Sequence, residues 1–153
     1  TNVGNRKFNI INCISRINKN LGNVDKISSI YKNPAVGFKG AFFFNCCIEV
    51  STILVVENVL KEILNIEKEM GRRNRLSNKY ESRIIDIDII FFGDQIVNKK
   101  KLVIPHPRYS IRDFVLIPLL EINATSKDPE TGILVSDFLL KIKKNQSIKK
   151  MEF

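Results

Sequence analysis

Long apolar runs are missing from this sequence. Hydrophobic residues make up 44% of its 153 positions, yet nothing approaches the roughly 20 consecutive apolar residues of a membrane span. No basic stretch followed by an apolar one opens it in the manner of a secretory leader. Cysteine is scarce and odd in number. Cys13, Cys46 and Cys47 lack the spacing of a metal site, and neighbours on a strand point to opposite faces. Free thiols in a reducing cytoplasm are therefore expected. Internal repeats, low-complexity blocks and linker-like stretches are absent too, which suits one domain over residues 1–153 with enough chain to bury a core. Histidine occurs once, as His106.

Acids are outnumbered, with 25 Lys and Arg against 16 Asp and Glu and a formal charge of +9. That excess suits a polyanion, either nucleic acid or a nucleotide such as ATP. Much of it is lysine scattered over helix faces and the C-terminal end, where solvated surface is the ordinary reading. The arginines are more concentrated. Arg72, Arg73, Arg75, Arg83 and Arg112, five of the eight, lie near the most informative stretch of the chain.

That stretch is Arg83-Ile84-Ile85-Asp86-Ile87-Asp88-Ile89-Ile90-Phe91-Phe92-Gly93. Its β-branched and aromatic residues predict a buried strand. Alternation puts Asp86 and Asp88 on one face, and Ile85, Ile87, Ile89 and Phe91 on the other. Two adjacent carboxylates repel, and burying them is costly without a cation. A hard divalent ion such as Mg²⁺, brought by a phosphate-bearing substrate, would resolve the conflict. The run alone equally permits an edge strand whose acids face water.

Taken in order, Phe8, Ile11, Ile14, Ile17 and Leu21 recur at helical spacing and stop at Gly22. Strands are predicted over 26–31 and 42–51, with a Pro/Gly loop over 33–40 between them. On the second strand Phe43, Asn45, Cys47 and Glu49 share a face. A helix spans about 53–70 with an apolar stripe of Val56, Val59, Leu60, Ile63 and Met70. Glu67 falls inside that stripe, so it sits either at the open end of the packed face or against a cation. A basic loop over 72–82 leads into the acidic run. Beyond it come a weak strand near Ile96-Val97, a helical segment over 112–122 around Pro118, a short helix over 137–142 and a lysine-rich tail. Helix, strand, strand, helix, strand becomes the ferredoxin-like β-α-β-β-α-β plan once one strand is placed before Thr1.

Arg83-Ile84-Ile85-Asp86-Ile87-Asp88, Pro105-His106-Pro107-Arg108 and Arg112-Asp113-Phe114-Val115-Leu116, in that order, resemble 6-hydroxymethyl-7,8-dihydropterin pyrophosphokinase of folate biosynthesis. Thr1-Asn2-Val3-Gly4-Asn5-Arg6, Ser28-Ser29-Ile30-Tyr31 and Gly37-Phe38 extend the similarity over nearly the whole chain. The resemblance implies an α+β, ferredoxin-like sheet with helices on one face and a C-terminal extension, here without the family's first strand. It implies transfer of pyrophosphate from ATP to a pterin alcohol, with AMP released. Arg72, Arg83, Asp86 and Asp88 would be catalytic, and Asp86 and Asp88 would bind two Mg²⁺. Nucleotide contacts are implied at Glu67, Arg72, Arg75 (or Arg73), Arg83, Ile89, Lys101, His106 and Arg112. Pterin contacts are implied at Asn33, Val36, Phe43, Asn45, Tyr80, Asp86 and Phe114. A cytoplasmic monomer with neither nucleic-acid nor membrane partner is expected.

The rival readings are plain. A nucleic-acid module would interleave exposed aromatics with Lys and Arg on the strand, but Phe43 and Asn45 are followed on their face by Cys47 and Glu49. A metal-dependent nuclease would bring further acids to Asp86 and Asp88, and Glu67 alone is thin support. A catalytically silent homologue is the third alternative.

Overall fold

The computed structural model of the chain describes residues 1–72, 82–142 and 148–152. Its first helix, α1 (Arg6–Asn20), begins where the Asn5 side chain accepts the Phe8 N–H at 3.1 Å, satisfying a donor that the helix ladder leaves open. Ile10, Cys13 and Ile17 form its buried face, with Leu21 just beyond. Phe8 and Ile11, which the spacing had put on that face, are exposed, because the packed stripe runs one position off the expected one. The chain turns at Gly22, whose φ is +150° and where an added Cβ would lie 2.1 Å from the Ser51 carbonyl oxygen. Gly22→Ala is therefore expected to cost roughly 3 kcal/mol, from backbone strain plus overpacking. Urea denaturation would read the loss, and an unchanged midpoint would mean that this corner can open freely.

Four short strands follow: β1 (Asn23–Ile27), β2 (Tyr31–Asn33), β3 (Phe43–Asn45) and β4 (Ile48–Ser51). β1 pairs with β4 and β2 with β3, both antiparallel. Each of the two predicted strands is thus divided in two. Between the Ile27–Ile48 and Tyr31–Asn45 pairs, residues 28–30 oppose only 46–47. The ladder breaks there, and Ser28 fills in: its N–H donates to the Cys47 carbonyl and its hydroxyl accepts the Cys47 N–H, both at 2.9 Å.

Helix α2 (Val56–Glu69) buries Val56, Val59, Ile63, Ile66 and Glu67. With Cys13 and Ile17 of α1, its apolar side chains pack on Val24, Ile48 and Val50 of the ribbon and on Ile85, Ile87 and Ile89 of the acidic run. Both helices therefore cover the same side. The run itself joins no ladder among the described residues, because its backbone groups are taken one at a time. The Arg83 carbonyl accepts the Asn2 N–H at 3.1 Å, and the Ile84 carbonyl accepts from the Asn9 side chain at 3.3 Å. The Ile87 N–H donates to Glu67, and the Ile90 carbonyl accepts the His106 N–H at 3.0 Å.

Beyond the run, β5 (Val97–Lys99) and β6 (Leu102–Ile104) form a hairpin, and a 3₁₀ turn (Tyr109–Ile111) leads into α3 (Asp113–Ile122), α4 (Val135–Lys141) and β7 (Lys149–Lys150). Pro118 lies within α3, where it withholds the N–H that the Phe114 carbonyl would otherwise receive. Part of the predicted tail is strand, for β7 pairs with β2. A second core gathers Tyr109, Leu116, Leu119 and Val135, and it takes Ile90 and Phe91 from the acidic run. Strict alternation had put Phe91 with Ile89. Instead Phe91 meets the Tyr109 ring edge-on at 5.0 Å, and Phe92 joins the side beneath the helices. The architecture is α+β, built from small antiparallel ladders and helices. No helix among the described residues is long and apolar enough to cross a membrane.

Candidate functional site

Glu67, the acid inside an apolar stripe, is 4% exposed and held on two sides. It accepts the Ile87 N–H at 2.7 Å and is ion-paired to Arg72. Gly71, at φ +89°, turns the chain back at the end of α2 so that Arg72 can reach its own helix. Burial pushes the Glu67 carboxyl above its ordinary range, and the Ile87 and Arg72 donors offset this only in part. The same Arg72 guanidinium lies 2.7 Å from Asp86 Oδ1, while Arg83 lies 2.6 Å from Asp86 Oδ2. Glu67, Arg72, Asp86 and Arg83 thus form an alternating chain of charge. Arg83 Nε is buried without a partner, a donor in reserve where buried donors are nearly always satisfied.

Asp88 has neither a hydrogen bond nor an ion pair among the described residues. It lies at the surface. Loss of water, and then the charge of Asp86, hold it above the ordinary carboxylate range against the pull of His106, Arg112 and Arg83. His106 is half-buried. Burial and the nearby arginines push its pKa down despite Asp88, so the ring is neutral at pH 7. Its Nδ1 accepts the Arg108 N–H at 3.2 Å, which leaves the proton on Nε2 as a donor.

Asp86 and Asp88 supply hard oxygen donors, the chemistry a divalent cation takes. No group of three or more His, Cys, Asp or Glu converges as a metal site among the described residues. An octahedral Mg²⁺ here would need its remaining ligands from phosphate and water, its usual habit with nucleotides. The residues fit such an ion, provided Arg72 and Arg83 leave Asp86 for other anions and so free its carboxylate for the cation.

A second set of groups lines the ribbon. Register places Asn33 opposite Phe43 and Tyr31 opposite Asn45, so all four share a face. Asn33 is 5% exposed, accepts a hydrogen bond from the Asn45 amide and donates to the Pro34 carbonyl at 2.9 Å. Phe43 is half-buried and meets Phe38 edge-on at 6.2 Å. Phe114, also half-buried, opens α3, with the Arg112 guanidinium 5.6 Å from its ring centre. Arg112 therefore touches both sets, since its charge also acts on Asp88.

Other expected site residues fall elsewhere. Ile89 turns its side chain into the core, away from the two aspartates. Val36 is exposed on the loop beyond Asn33. Lys101 is exposed at the β5–β6 turn and forms no hydrogen bond or ion pair with these groups. Tyr80, Arg75 and Arg73 lie outside the described residues. A cavity of about 480 Å³ lined by Leu54, Val56, Phe92, Ile96 and Lys99 contains none of the chemistry.

Two contributors escape a reading of the residues alone. The first is Asn2, which is 4% exposed. It accepts the Arg83 N–H at 2.8 Å and donates to Ser82 Oγ at 2.9 Å and the Ala41 carbonyl at 3.3 Å, bracing the acidic run against the loop before β3. The second is Glu121, an acid in the otherwise apolar stretch 114–122. The same kind of misfit that marked Glu67 could have marked it.

Comparison with known proteins shows the family of the chain. Residues 1–124 match the family model described as 7,8-dihydro-6-hydroxymethylpterin-pyrophosphokinase (HPPK). The chain is 38% identical over 123 residues to the 2-amino-4-hydroxy-6-hydroxymethyldihydropteridine pyrophosphokinase of Aquifex aeolicus, covering 80% of this chain and 75% of that protein. The protein of the same name from Bacillus subtilis is 33% identical over 124 residues, 80% of this chain and 73% of its own. The folic acid synthesis protein fol1 of Pneumocystis carinii is 38% identical over 143 residues, 93% of this chain. This chain spans only 19% of the length of that larger protein.

Proposed function

Because the chain belongs to the 7,8-dihydro-6-hydroxymethylpterin-pyrophosphokinase family, we propose that it moves pyrophosphate from ATP to 6-hydroxymethyl-7,8-dihydropterin in folate synthesis. The observation that carries this reading is the alternating chain Glu67, Arg72, Asp86 and Arg83, set beside an Asp88 without an ion pair among the described residues. Such a group holds its arginines ready for an arriving polyphosphate and its carboxylates ready for the counter-ion. Asp86 and Asp88 would hold Mg²⁺, two ions on the family's pattern, whose chemistry is to neutralise phosphate charge and orient an in-line displacement. Arg72 and Arg83 would exchange Asp86 for phosphate oxygens, with the planar guanidinium fork suited to them. Arg112 and the Nε2–H of His106 would donate to the same anion.

On the other side, Phe43 and Phe114 would stack on the flat pterin. Asn45, ordered by the buried Asn33, would offer its remaining donor and acceptor to the pterin edge. The pterin hydroxymethyl oxygen then forms its bond to the β-phosphorus as the bond to the α-phosphate oxygen breaks. AMP leaves with that oxygen, and the hydroxyl proton passes to solvent or a nearby acceptor. Val36, Tyr80, Arg75, Lys101 and the Ile89 backbone complete the proposed contacts. The ferredoxin-like plan is part of the same proposal. It draws support from α1 and α2 lying over one side of both the β1–β4 ladder and the acidic run.

The test is to incubate the protein with ATP, Mg²⁺ and the pterin alcohol. AMP should form only when all three are present and should stop on chelation. ATP breakdown indifferent to the pterin would overturn the reading.

A further inference from the structure

Glu121, in the last turn of α3, gathers four donors on one carboxylate. Oε1 accepts from Ser29 Oγ at 2.7 Å and Lys150 Nζ at 2.9 Å, and Oε2 accepts from the Ser29 N–H and the Tyr31 hydroxyl, both at 3.0 Å. Burial alone would push the carboxyl up. The donors from Lys150, Ser29 and Tyr31 outweigh it and hold the group at about 2, so the clamp is ionised at neutral pH. Charge-assisted bonds of this kind are roughly twice as strong as neutral ones.

The place of the clamp matters more than its strength. It grips the stretch where the ribbon ladder fails, since residues 28–30 oppose only 46–47. The Ser29 N–H, with no strand partner at the break, is satisfied from α3 instead. One pleat beyond Tyr31 on the same face lies Asn33, opposite Phe43, and Tyr31 itself lies opposite Asn45. On the helix, Phe114 and Glu121 are seven residues apart, about two turns, so they lie on one face of α3, the face whose Glu121 end meets the ribbon at Ser29 and Tyr31. Near the Phe114 end, the Cys47 thiol contacts the Val115 carbonyl at 3.7 Å, a weak tether beside the four bonds of the carboxylate.

We propose that Glu121 is a positioning residue: it sets the spacing between Phe114 on α3 and the Asn33, Phe43 and Asn45 wall on the ribbon, and so the width of the pterin slot. This rests on the pterin reading above. The residue touches neither substrate. It acts through the two walls that do, and it stands at the far end of α3 from the carboxylate cluster that would take the nucleotide.

Steady-state kinetics on the full chain, varying each substrate in turn, tests the assignment. Glu121→Gln keeps the size and one acceptor but loses the charge. It should raise KM for the pterin alcohol about tenfold while KM for ATP and kcat at saturating pterin change less than about twofold, because a slot of wrong width loses binding rather than chemistry. Glu121→Ala should do more and Tyr31→Phe, which removes one bond of the four, about two- to threefold. If Glu121→Ala does not fold, the graded Gln and Phe variants still decide. The idea fails if an active wild type is matched by variants with an unchanged pterin KM, whatever their melting temperature. It fails equally if both KM values rise together. Failure of the pterin reading looks different, since the wild type would then form no pterin-dependent AMP.

Discussion

Asp88→Asn should lower turnover by about a thousandfold or more and leave the protein as stable as its parent, whereas Asp86→Asn should lose both activity and stability. The two residues are equivalent in sequence pattern, and the contrast comes from their partners. Asp88 has no hydrogen bond or ion pair among the described residues, and its surroundings already disfavour its ionised form. Replacing it removes a charge that no described residue pairs with. Asp86 neutralises Arg72 and Arg83, whose side chains are only 19% and 11% exposed. Taking its charge away leaves two half-buried guanidiniums short of a partner, at a cost of roughly 2 kcal/mol. If both residues hold the metal, either loss withdraws several kcal/mol of stabilisation from the transition state, which is the stated fall in rate. Pterin-dependent AMP formation and urea denaturation on the same two variants would check this. An Asp88→Asn enzyme near the wild-type rate would remove Asp88 from the metal site.

The second large effect is expected at Glu67. Glu67→Ala should destabilise the chain by about 3–5 kcal/mol, because it strips the acceptor from the Ile87 N–H, deprives Arg72 of one carboxylate and leaves a hole in the buried face of α2. Glu67→Gln keeps the volume and an acceptor and should cost nearer 1 kcal/mol. Activity should follow stability only in part. Arg72, released from Glu67, would still reach Asp86, but the run carrying Asp86 and Asp88 would lose its anchor at Ile87. A Glu67→Gln enzyme is thus expected to retain most of its rate, and a Glu67→Ala enzyme, assayed where it is still folded, to fall at least about tenfold. Equal melting temperatures for the two variants would show that the carboxylate is not held in this way.

Several of the site's features could be read before any coordinates. Residues 8–21 and 53–70 declared their helices, and Glu67 stood out as an acid on an apolar face. Asp86 and Asp88 declared a shared side, and the family resemblance gathered Arg83, His106, Arg112 and Phe114 around them. The misses have a common origin. The ribbon breaks where the Ser28 side chain and Glu121, rather than a neighbouring strand, satisfy the backbone. Phe91 leaves the face that alternation assigned it because the Tyr109 ring lies on the other side. The acidic run reads as a strand, yet its donors and acceptors are met by Asn2, Asn9, Glu67 and His106, one from each of four places.

Periodicity is a property of neighbours along the chain, and it grouped Asp86 with Asp88 and Phe43 with Asn45, but on the first helix it chose Phe8 and Ile11 where the packed face is Ile10, Cys13 and Ile17. Pairing is a property of neighbours in space. That Glu67 caps the Ile87 N–H 20 positions away, and that Glu121 holds Ser29 across 92, depends on how helices and ribbon stack. No local rule of spacing contains that information. The stacking turned two like aspartates into unlike ones, one locked between arginines and one without an ion pair among the described residues.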